Sequence, residues 1–183
     1  MLEVGAGGGE LAARLSGDGY ELVAIDPQGE PPVLPVALVE LDERAASFDA
    51  AVAVVSLHHV EPLRESLSRL AEVMRPGAVL AVDELDVEQL DERAASWWIE
   101  RRRELELEAP HEPAEIVKTL REHIHPVSLI VEELRPWFDV GEVGRGTYLH
   151  RWDLAEDLRA EEERLIAAGG LPAVGARIAG RRL

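Results

Sequence analysis

The sequence predicts an α/β fold in which helices cover both faces of a doubly wound, mostly parallel sheet. Three observations support this prediction. Apolar, β-rich runs alternate with helical patterns through residues 1–85, a glycine-rich turn, EVGAGGG, breaks the first run at residue 5, and the run AVAVV has no polar interruption. Alternating strands and helices are typical of a parallel sheet, and a continuous apolar run is typical of a strand buried on both faces.

The first half of the chain supplies the predicted sheet. Strands are predicted at residues 2–4, 21–26, 36–41, 48–60 and 78–85, and the run at 48–60 is predicted to be central. Helical spacing predicts helices at residues 10–15 and 62–74. Residues 27–35 are rich in Pro and Gly, so we expect a loop there, and the helix that would follow the second strand is shortened or lost.

The second half has a different pattern and predicts a helical insertion after the fifth strand. Helices are predicted at residues 87–108, 111–124 and 126–138, the second of them opened by Pro113. Strand material follows at 138–152, then a helix at 153–170 with a glycine stop and a last strand at 172–183. We expect all 183 residues to form a single domain.

Charge and composition narrow the classes of function. A formal net charge of −17 opposes the approach of a polyanion, so no nucleic-acid partner is expected. No segment has the length of a membrane span or the pattern of a signal peptide, so we expect no membrane partner and a cytoplasmic location. The absence of cysteine excludes disulfides, thiolate metal sites and a cysteine nucleophile. No metal site is predicted, because the adjacent His58 and His59 have no evident third ligand.

Three segments are expected to meet where the strand order of the sheet reverses. The glycine turn follows the first strand, Asp26 follows the second, and residues 56–59 follow the strand at 48. Asp26 lies about 20 residues beyond the turn and is placed to accept hydrogen bonds from ribose hydroxyls. The pattern suits a nicotinamide dinucleotide or another adenosine cofactor, since Gly7, Gly9 and Ala12 also satisfy G-x-G-x-x-A.

The acidic residue before the turn distinguishes between these cofactors. Residues 3–9, EVGAGGG, match the pattern acidic-x-G-x-G-x-G and resemble class I S-adenosylmethionine-dependent methyltransferases, in particular the type 11 and type 12 domains. The resemblance continues through AID at the second strand end, FDAAVAVVSLHHV and LAEVMRPGAVLAVDEL, and covers residues 2–85. It implies the Rossmann-like fold of that family, with S-adenosylmethionine as cofactor, and last strands that form an antiparallel edge of the sheet.

The resemblance also implies roles for individual residues. Glu3 would lie near the methionine amino group of the cofactor, the turn would form the floor beneath it, and Asp26 would hold the ribose. By the same resemblance, residues 40–42 occupy roughly the place from which members of the family contact the adenine of the cofactor. The cofactor-binding residues implied in this way are Glu3, Gly5, Ala6, Gly7, Asp26, Pro27, Leu41, Asp42, Ser56 and Leu57.

The implied reaction is in-line methyl transfer to a small-molecule acceptor, in which positioning supplies much of the acceleration. His58 or His59 is the candidate general base if the acceptor is a hydroxyl, because histidine titrates near neutral pH. Neighbours on a strand face opposite ways, so at most one would face the acceptor. The alternative is that both only pack or cap the next turn.

Residues 1–85 would form the cofactor-binding half, and residues 86–183 a substrate-side half that also closes the sheet. Six aromatic or imidazole side chains in the second half suit either an acceptor pocket or the core: Trp97, Trp98, Trp137, Tyr148, His150 and Trp152.

Two other functions stay open on the sequence alone. One is an NAD(P)-dependent oxidoreductase, supported by the formal G-x-G-x-x-A match. The other is a non-catalytic methyltransferase-like subunit, because the given sequence does not show the helices that usually precede the first strand of the family. Either the start lies upstream of Met1, or a partner or residues 86–124 would have to cover the site. A homo-oligomer also stays open.

Overall fold

The structure is a computed structural model that describes residues 1–183. Strands β1 to β7 are, in chain order, Leu2–Val4, Val23–Ile25, Phe48–Val54, Met74–Leu85, Phe138–Val140, Gly144–Gly146 and Gly175–Arg182. Helices α1 to α6 are Glu10–Gly17, Leu63–Val73, Glu92–Glu104, Pro113–His123, Val127–Leu134 and Arg159–Ala167. None of these helices combines the length and apolar character needed to cross a membrane.

The chain divides into two compact units. The first contains Met1–Glu84, Ser128–Val143 and Ile178–Leu183, and the second contains Leu85–Val127 and Gly144–Arg177. The expected single domain with halves at 1–85 and 86–183 stays a prediction. Each unit has its own buried apolar residues, as Leu2 and Leu80 illustrate for the first and Leu90 and Leu149 for the second.

The seven-stranded sheet runs in the order β2-β1-β3-β4-β7-β5, and β6 pairs with β7 outside this path. Strand β1 pairs in parallel with β2 on one side and with β3 on the other, so that Glu3 lies between Ala24 and Val52. Strand β3 is also parallel to β4, whereas β7 is antiparallel to β5. The predicted doubly wound, mostly parallel sheet with an antiparallel last strand is confirmed. The strand order reverses at β1 and β3, where a ligand crevice is expected.

The predicted strand at 36–41 is wrong. Those residues form loop and a short 3-10 turn, Leu38–Glu40, and only Leu34 makes an isolated parallel bridge, to Ile25. The nitrogen of Leu34 donates to the carbonyl of Ala24 at 2.9 Å. Proline lacks the backbone N–H that a ladder needs, and the prolines at 31, 32 and 35 interrupt it on both sides of Leu34. The expected loss of a helix after β2 is confirmed.

The starts of helices α3 and α4 in the second unit follow from the residues at their N-termini. Helix α3 begins at Glu92, later than the predicted residue 87, because the Asp91 side chain accepts a hydrogen bond from the nitrogen of Ala94 at 3.0 Å. An N-cap of this kind satisfies an otherwise unpaired N–H of the first turn. Helix α4 begins at Pro113, as predicted from the missing proline N–H.

Candidate cofactor site

A cavity of about 560 Å³ lies in the first unit, at the carboxyl ends of three parallel strands. Its wall contains the ends of β1, β2 and β3, together with residues 36–38 and 59–61. This is the edge of the sheet where the strand order reverses, so the three segments named from the sequence do meet there.

The glycine turn after β1 follows the cavity with its backbone. Gly5 has a φ of +68° and Gly7 a φ of +52°, a left-handed conformation that side chains with a Cβ rarely adopt. A Cβ on Gly5 would lie 2.2 Å from the Cβ of Ser56, whereas a Cβ on Gly7 would meet no heavy atom within 4 Å. Gly5 therefore lets the turn approach the wall formed by Ser56, and Gly7 leaves space on the cavity side.

Asp26 joins the end of β2 to this turn. Its Oδ2 accepts a hydrogen bond from the nitrogen of Gly7 at 3.0 Å, and its Oδ1 accepts one from the nitrogen of Gln28 at 2.8 Å. Each carboxylate oxygen can accept a second bond. Asp26 lines the cavity, so it can still accept hydrogen bonds from hydroxyls of a bound molecule.

Glu3 is a buried acid in the middle of the sheet. Its side chain is only 4% exposed, and its Oε2 has no hydrogen-bond partner. Burial, together with the negative charge of Glu10, raises the pKa of the Glu3 carboxyl above its ordinary value. A buried carboxylate oxygen without a partner is unfavourable, and a bound ammonium group would relieve it.

The wall after β3 is a strained turn. Val55 has a φ of +53°, an uncommon value that is costly for a β-branched residue. Residues 57–59 then form a 3-10 turn instead of continuing the strand. His58 is buried and its Nδ1 is hydrogen-bonded to Oε2 of Glu84, whereas His59 is exposed and lines the cavity. Both histidines lie on this turn and not on the strand, so strand alternation does not apply to them, and their rings contact each other at 4.2 Å between centroids. Of the two, only His59 lines the cavity, and the expectation that at most one faces an acceptor stays a prediction.

The cavity wall includes half of the ten cofactor-binding residues implied by the resemblance. Gly5, Gly7, Asp26, Pro27 and Ser56 line it, as does His59. Three more of the implied residues, Glu3, Ala6 and Leu57, are buried, and each is adjacent in sequence to a residue of the wall. Leu41 and Asp42 are not part of the wall, and the segment 36–38 occupies that side.

The sequence pattern does not predict two features of the site. It predicts a strand at 36–38, which lies in the cavity wall, and it gives no role to Glu84, which is hydrogen-bonded to His58. A signal for Glu84 does exist, because it is an acid at the end of an apolar strand, as Asp26 is.

The aromatic side chains of the second half do not line this cavity. Trp98 and Trp152 stack at 4.3 Å between ring centroids, and Nε1 of Trp98 donates to the carbonyl of Trp152 at 2.7 Å. The guanidinium of Arg102 lies over the Trp98 ring at 4.7 Å. Trp97, Tyr148 and His150 are buried as well. These contacts favour the core role for the side chains of the second unit, and the choice between core and acceptor pocket stays a prediction.

The charge around the cavity suits a cationic ligand. Its charged lining residues are Asp26 and Glu61, both acidic, and neither Arg nor Lys contributes to the wall. S-adenosylmethionine carries a positive sulfur and an ammonium group but no phosphate, so these acids and the unpartnered Glu3 oxygen favour it. The residues present therefore fit this cofactor.

Proteins to which this chain is similar include methyltransferases, which agrees with a cavity that fits S-adenosylmethionine. A family model described as a methyltransferase domain matches residues 1–115. An uncharacterised methyltransferase of Mycobacterium tuberculosis is 37% identical over 97 residues, and the match covers 45% of this chain and 48% of that protein. The chain thus spans about half the length of the curated relatives it matches.

Solved structures with the same fold are more distant in sequence. The 1,6-didemethyltoxoflavin-N1-methyltransferase of Burkholderia thailandensis, solved with S-adenosylhomocysteine bound, is 18% identical at a TM-score of 0.59, covering 99% of this chain and 69% of its own. An S-adenosylmethionine-dependent methyltransferase of Mesorhizobium loti is 14% identical, with a TM-score of 0.62. The match covers 99% of this chain and 90% of that protein.

The family match spans more than half of the chain, and it includes the glycine turn, Asp26 and the wall after β3. The fold is that of the class I S-adenosylmethionine-dependent methyltransferases, and the family match shows that the chain belongs to the methyltransferase domain family.

Proposed function

We propose that this protein transfers a methyl group from S-adenosylmethionine to a small-molecule acceptor. The observation that carries the proposal is the meeting of the glycine turn and Asp26 at one acidic cavity. The buried Glu3, whose Oε2 has no hydrogen-bond partner, precedes the lining residue Val4 in the chain. When bound, the cofactor supplies a methyl group on a positively charged sulfur.

The residues of the chain have distinct tasks in this proposal. Asp26 holds the ribose hydroxyls, the backbone of Gly5 and Gly7 forms the floor, and Glu3 attracts the ammonium group. The apolar segment 36–38 offers a surface for adenine, and we assign it that role in place of Leu41 and Asp42. The acceleration then comes from holding the acceptor atom in line with the methyl group.

His59 is our candidate for the base that takes a proton from an acceptor hydroxyl. It lines the cavity, whereas the Nδ1 of His58 is engaged by Glu84. A base must lie within hydrogen-bond reach of the proton that it removes, and only His59 is exposed to the cavity.

A small-molecule acceptor is supported by charge and by one solved relative. The net charge of −17 opposes binding of nucleic acid. The Burkholderia thailandensis protein was solved with the small molecule 1,6-didemethyltoxoflavin bound. We extend to this chain the class of acceptor only, a small organic molecule.

Calorimetric titration tests the cofactor directly. The protein is titrated with S-adenosylhomocysteine, with NAD as a matched adenosine ligand and Asp26→Ala as the site variant. We expect micromolar binding of S-adenosylhomocysteine that is lost in the variant, and no binding of NAD. Binding of NAD alone would support the oxidoreductase instead. Binding of S-adenosylhomocysteine without methyl transfer to any acceptor in a broad screen would support a non-catalytic subunit.

A further inference from the structure

Glu84 is a fully buried acid at the end of β4 whose role is not explained by packing alone. Its Oε1 accepts hydrogen bonds from the nitrogen of Ser56 at 2.9 Å and from that of Leu57 at 2.7 Å, and its Oε2 is bonded to Nδ1 of His58. Burying an ionised carboxylate is costly unless such bonds satisfy it. Here both oxygens bind consecutive residues of one turn.

The turn that Glu84 holds is the strained one. Val55 is in the left-handed region, and strain of this kind persists only when the surrounding structure enforces it. The carbonyl of Asp83 accepts from the nitrogen of Val55 at 2.7 Å, so Asp83 and Glu84 together bind three consecutive N–H groups. The end of β4 thus determines how the chain leaves β3.

The same turn forms one wall of the cavity. Val55, Ser56 and His59 line it, and the Oγ of Ser56 donates to the carbonyl of Val4 at 2.8 Å. Ser56 is also the residue against which Gly5 packs. Glu84 is therefore connected to the glycine turn through a single intervening residue.

We propose that Glu84 is a positioning residue for the cofactor cavity. Its carboxylate, with His58 as the side-chain donor, holds the strained turn so that Ser56 and His59 face the bound cofactor and acceptor. Because an ionised carboxylate only accepts hydrogen bonds, an ionised Glu84 requires the proton of the His58 ring to be on Nδ1. This inference rests on the proposed function only in that S-adenosylhomocysteine is the ligand whose binding is measured. The contacts that Glu84 makes with the turn do not depend on the proposed function.

The second unit supplies a matched control. Glu162 is also fully buried and accepts from the nitrogens of Tyr148, Leu149 and His150 at 2.8, 3.0 and 2.9 Å. Its Oε2 also lies 2.8 Å from Nδ1 of His150. This is the same buried arrangement of Glu, 3-10 turn and His, but none of its residues lines the cavity.

The test compares Glu84→Gln with Glu162→Gln in the full chain. We expect both variants to lower the melting temperature, because each loses a charged acceptor in the interior. Glu84→Gln is expected to weaken binding of S-adenosylhomocysteine about tenfold, whereas Glu162→Gln changes it less than about twofold. Equal effects of the two variants on affinity, or wild-type affinity in Glu84→Gln, would overturn the proposal.

Substitution of His58 gives a second test if Glu84→Gln does not fold. In His58→Asn the side-chain nitrogen replaces Nδ1 as donor to Glu84, whereas His58→Leu removes the donor. We expect His58→Asn to bind S-adenosylhomocysteine within about threefold of the wild type and His58→Leu at least about tenfold more weakly. Wild-type binding by His58→Leu would contradict the positioning role.

Nuclear magnetic resonance separates this inference from the proposed function. A glutamine at 84 that keeps its carbonyl towards Ser56 and Leu57 turns its amide towards His58, so we expect the His58 proton to move from Nδ1 to Nε2. We also expect shifts at the His59 ring in Glu84→Gln but not in Glu162→Gln. If the wild type does not bind S-adenosylhomocysteine, the proposed function fails, and an unchanged His59 ring in Glu84→Gln would then reject this inference as well.

Discussion

The Oδ2 of Asp26 lies 3.0 Å from the backbone nitrogen of Gly7, so the end of the second strand holds the turn that follows the first. Asp26 and Gly7 are 19 residues apart in the chain, and both line the cavity. One carboxylate therefore both orders the glycine turn and lines the cavity.

The first prediction concerns this carboxylate. In Asp26→Asn one carbonyl oxygen remains and the charge is lost, so the bonds to ribose hydroxyls are no longer charge-assisted. We expect binding of S-adenosylhomocysteine to weaken by about tenfold, because hydrogen bonds to ionised groups are about twice as strong as neutral ones. Calorimetry measures this change. The control is Asp18→Asn at the exposed end of α1, and weakening by the control as well would argue against a site-specific effect.

The second prediction concerns the close approach of the glycine turn to the wall. In Gly5→Ala the new Cβ would lie 2.2 Å from the Cβ of Ser56, and the φ of +68° is unfavourable for alanine. We expect the variant to lose roughly 1–3 kcal/mol of unfolding free energy or more, measured by urea denaturation. Gly19→Ala has a φ of +90° but no atom within 4 Å, so it isolates the cost of φ, which is about 1 kcal/mol.

Equal losses in the Gly5 and Gly19 variants would show that Ser56 does not constrain the turn. A larger loss at Gly5, combined with loss of S-adenosylhomocysteine binding, is the result that the geometry predicts.

The third prediction concerns pH. Burial and the charge of Glu10 raise the pKa of Glu3 in the folded protein, so Glu3 contributes stability below its ordinary pKa of 4.5 that is lost as the pH rises through the folded-state value. Without ligand, Glu3→Gln should therefore be more stable than the wild type at neutral pH. The difference should vanish when the pH falls below about 4.

Thermal unfolding at several pH values measures this difference, with the exposed Glu21→Gln as control. The same Glu3→Gln protein should bind S-adenosylmethionine more weakly, because it no longer offers a charge to the ammonium group. Higher stability together with undiminished binding would leave the Glu3 carboxylate without a role in the site.

The fourth prediction concerns the core of the second unit. The Trp98 ring stacks on Trp152 at 4.3 Å and lies beneath Arg102 at 4.7 Å. We expect Trp98→Ala to cost roughly 3–5 kcal/mol of unfolding free energy, the usual range for removal of a buried aromatic side chain. Trp98→Phe keeps a ring but loses the hydrogen bond to the Trp152 carbonyl, and should cost about 1 kcal/mol. Tryptophan fluorescence during denaturation follows both variants.

The two tryptophan variants also distinguish core from acceptor pocket. If Trp98 belongs only to the core, Trp98→Phe should leave the KM for a methyl acceptor unchanged. A raised acceptor KM without a loss of stability would return Trp98 to the acceptor pocket that the sequence left open.

The sequence by itself determined the parallel sheet and the location of its ligand crevice, because both depend on local patterns. The run AVAVV predicts a buried strand wherever it lies, and a turn with three glycines in left-handed conformations can pass close to a ligand. The position of Asp26 at the end of the second strand predicts that its carboxylate lies near the glycine turn, because the carboxyl ends of neighbouring parallel strands meet at the same edge of the sheet.

Tertiary structure alone decided the remainder of the site. Residues 36–41 have strand propensity, but a strand needs a partner with free N–H groups, and the prolines at 31, 32 and 35 left only a bridge at Leu34. His58 is buried against Glu84, 26 residues away in the chain, whereas His59 is exposed and lines the cavity. No local pattern specifies such a contact, because it depends on the register of β3 against β4.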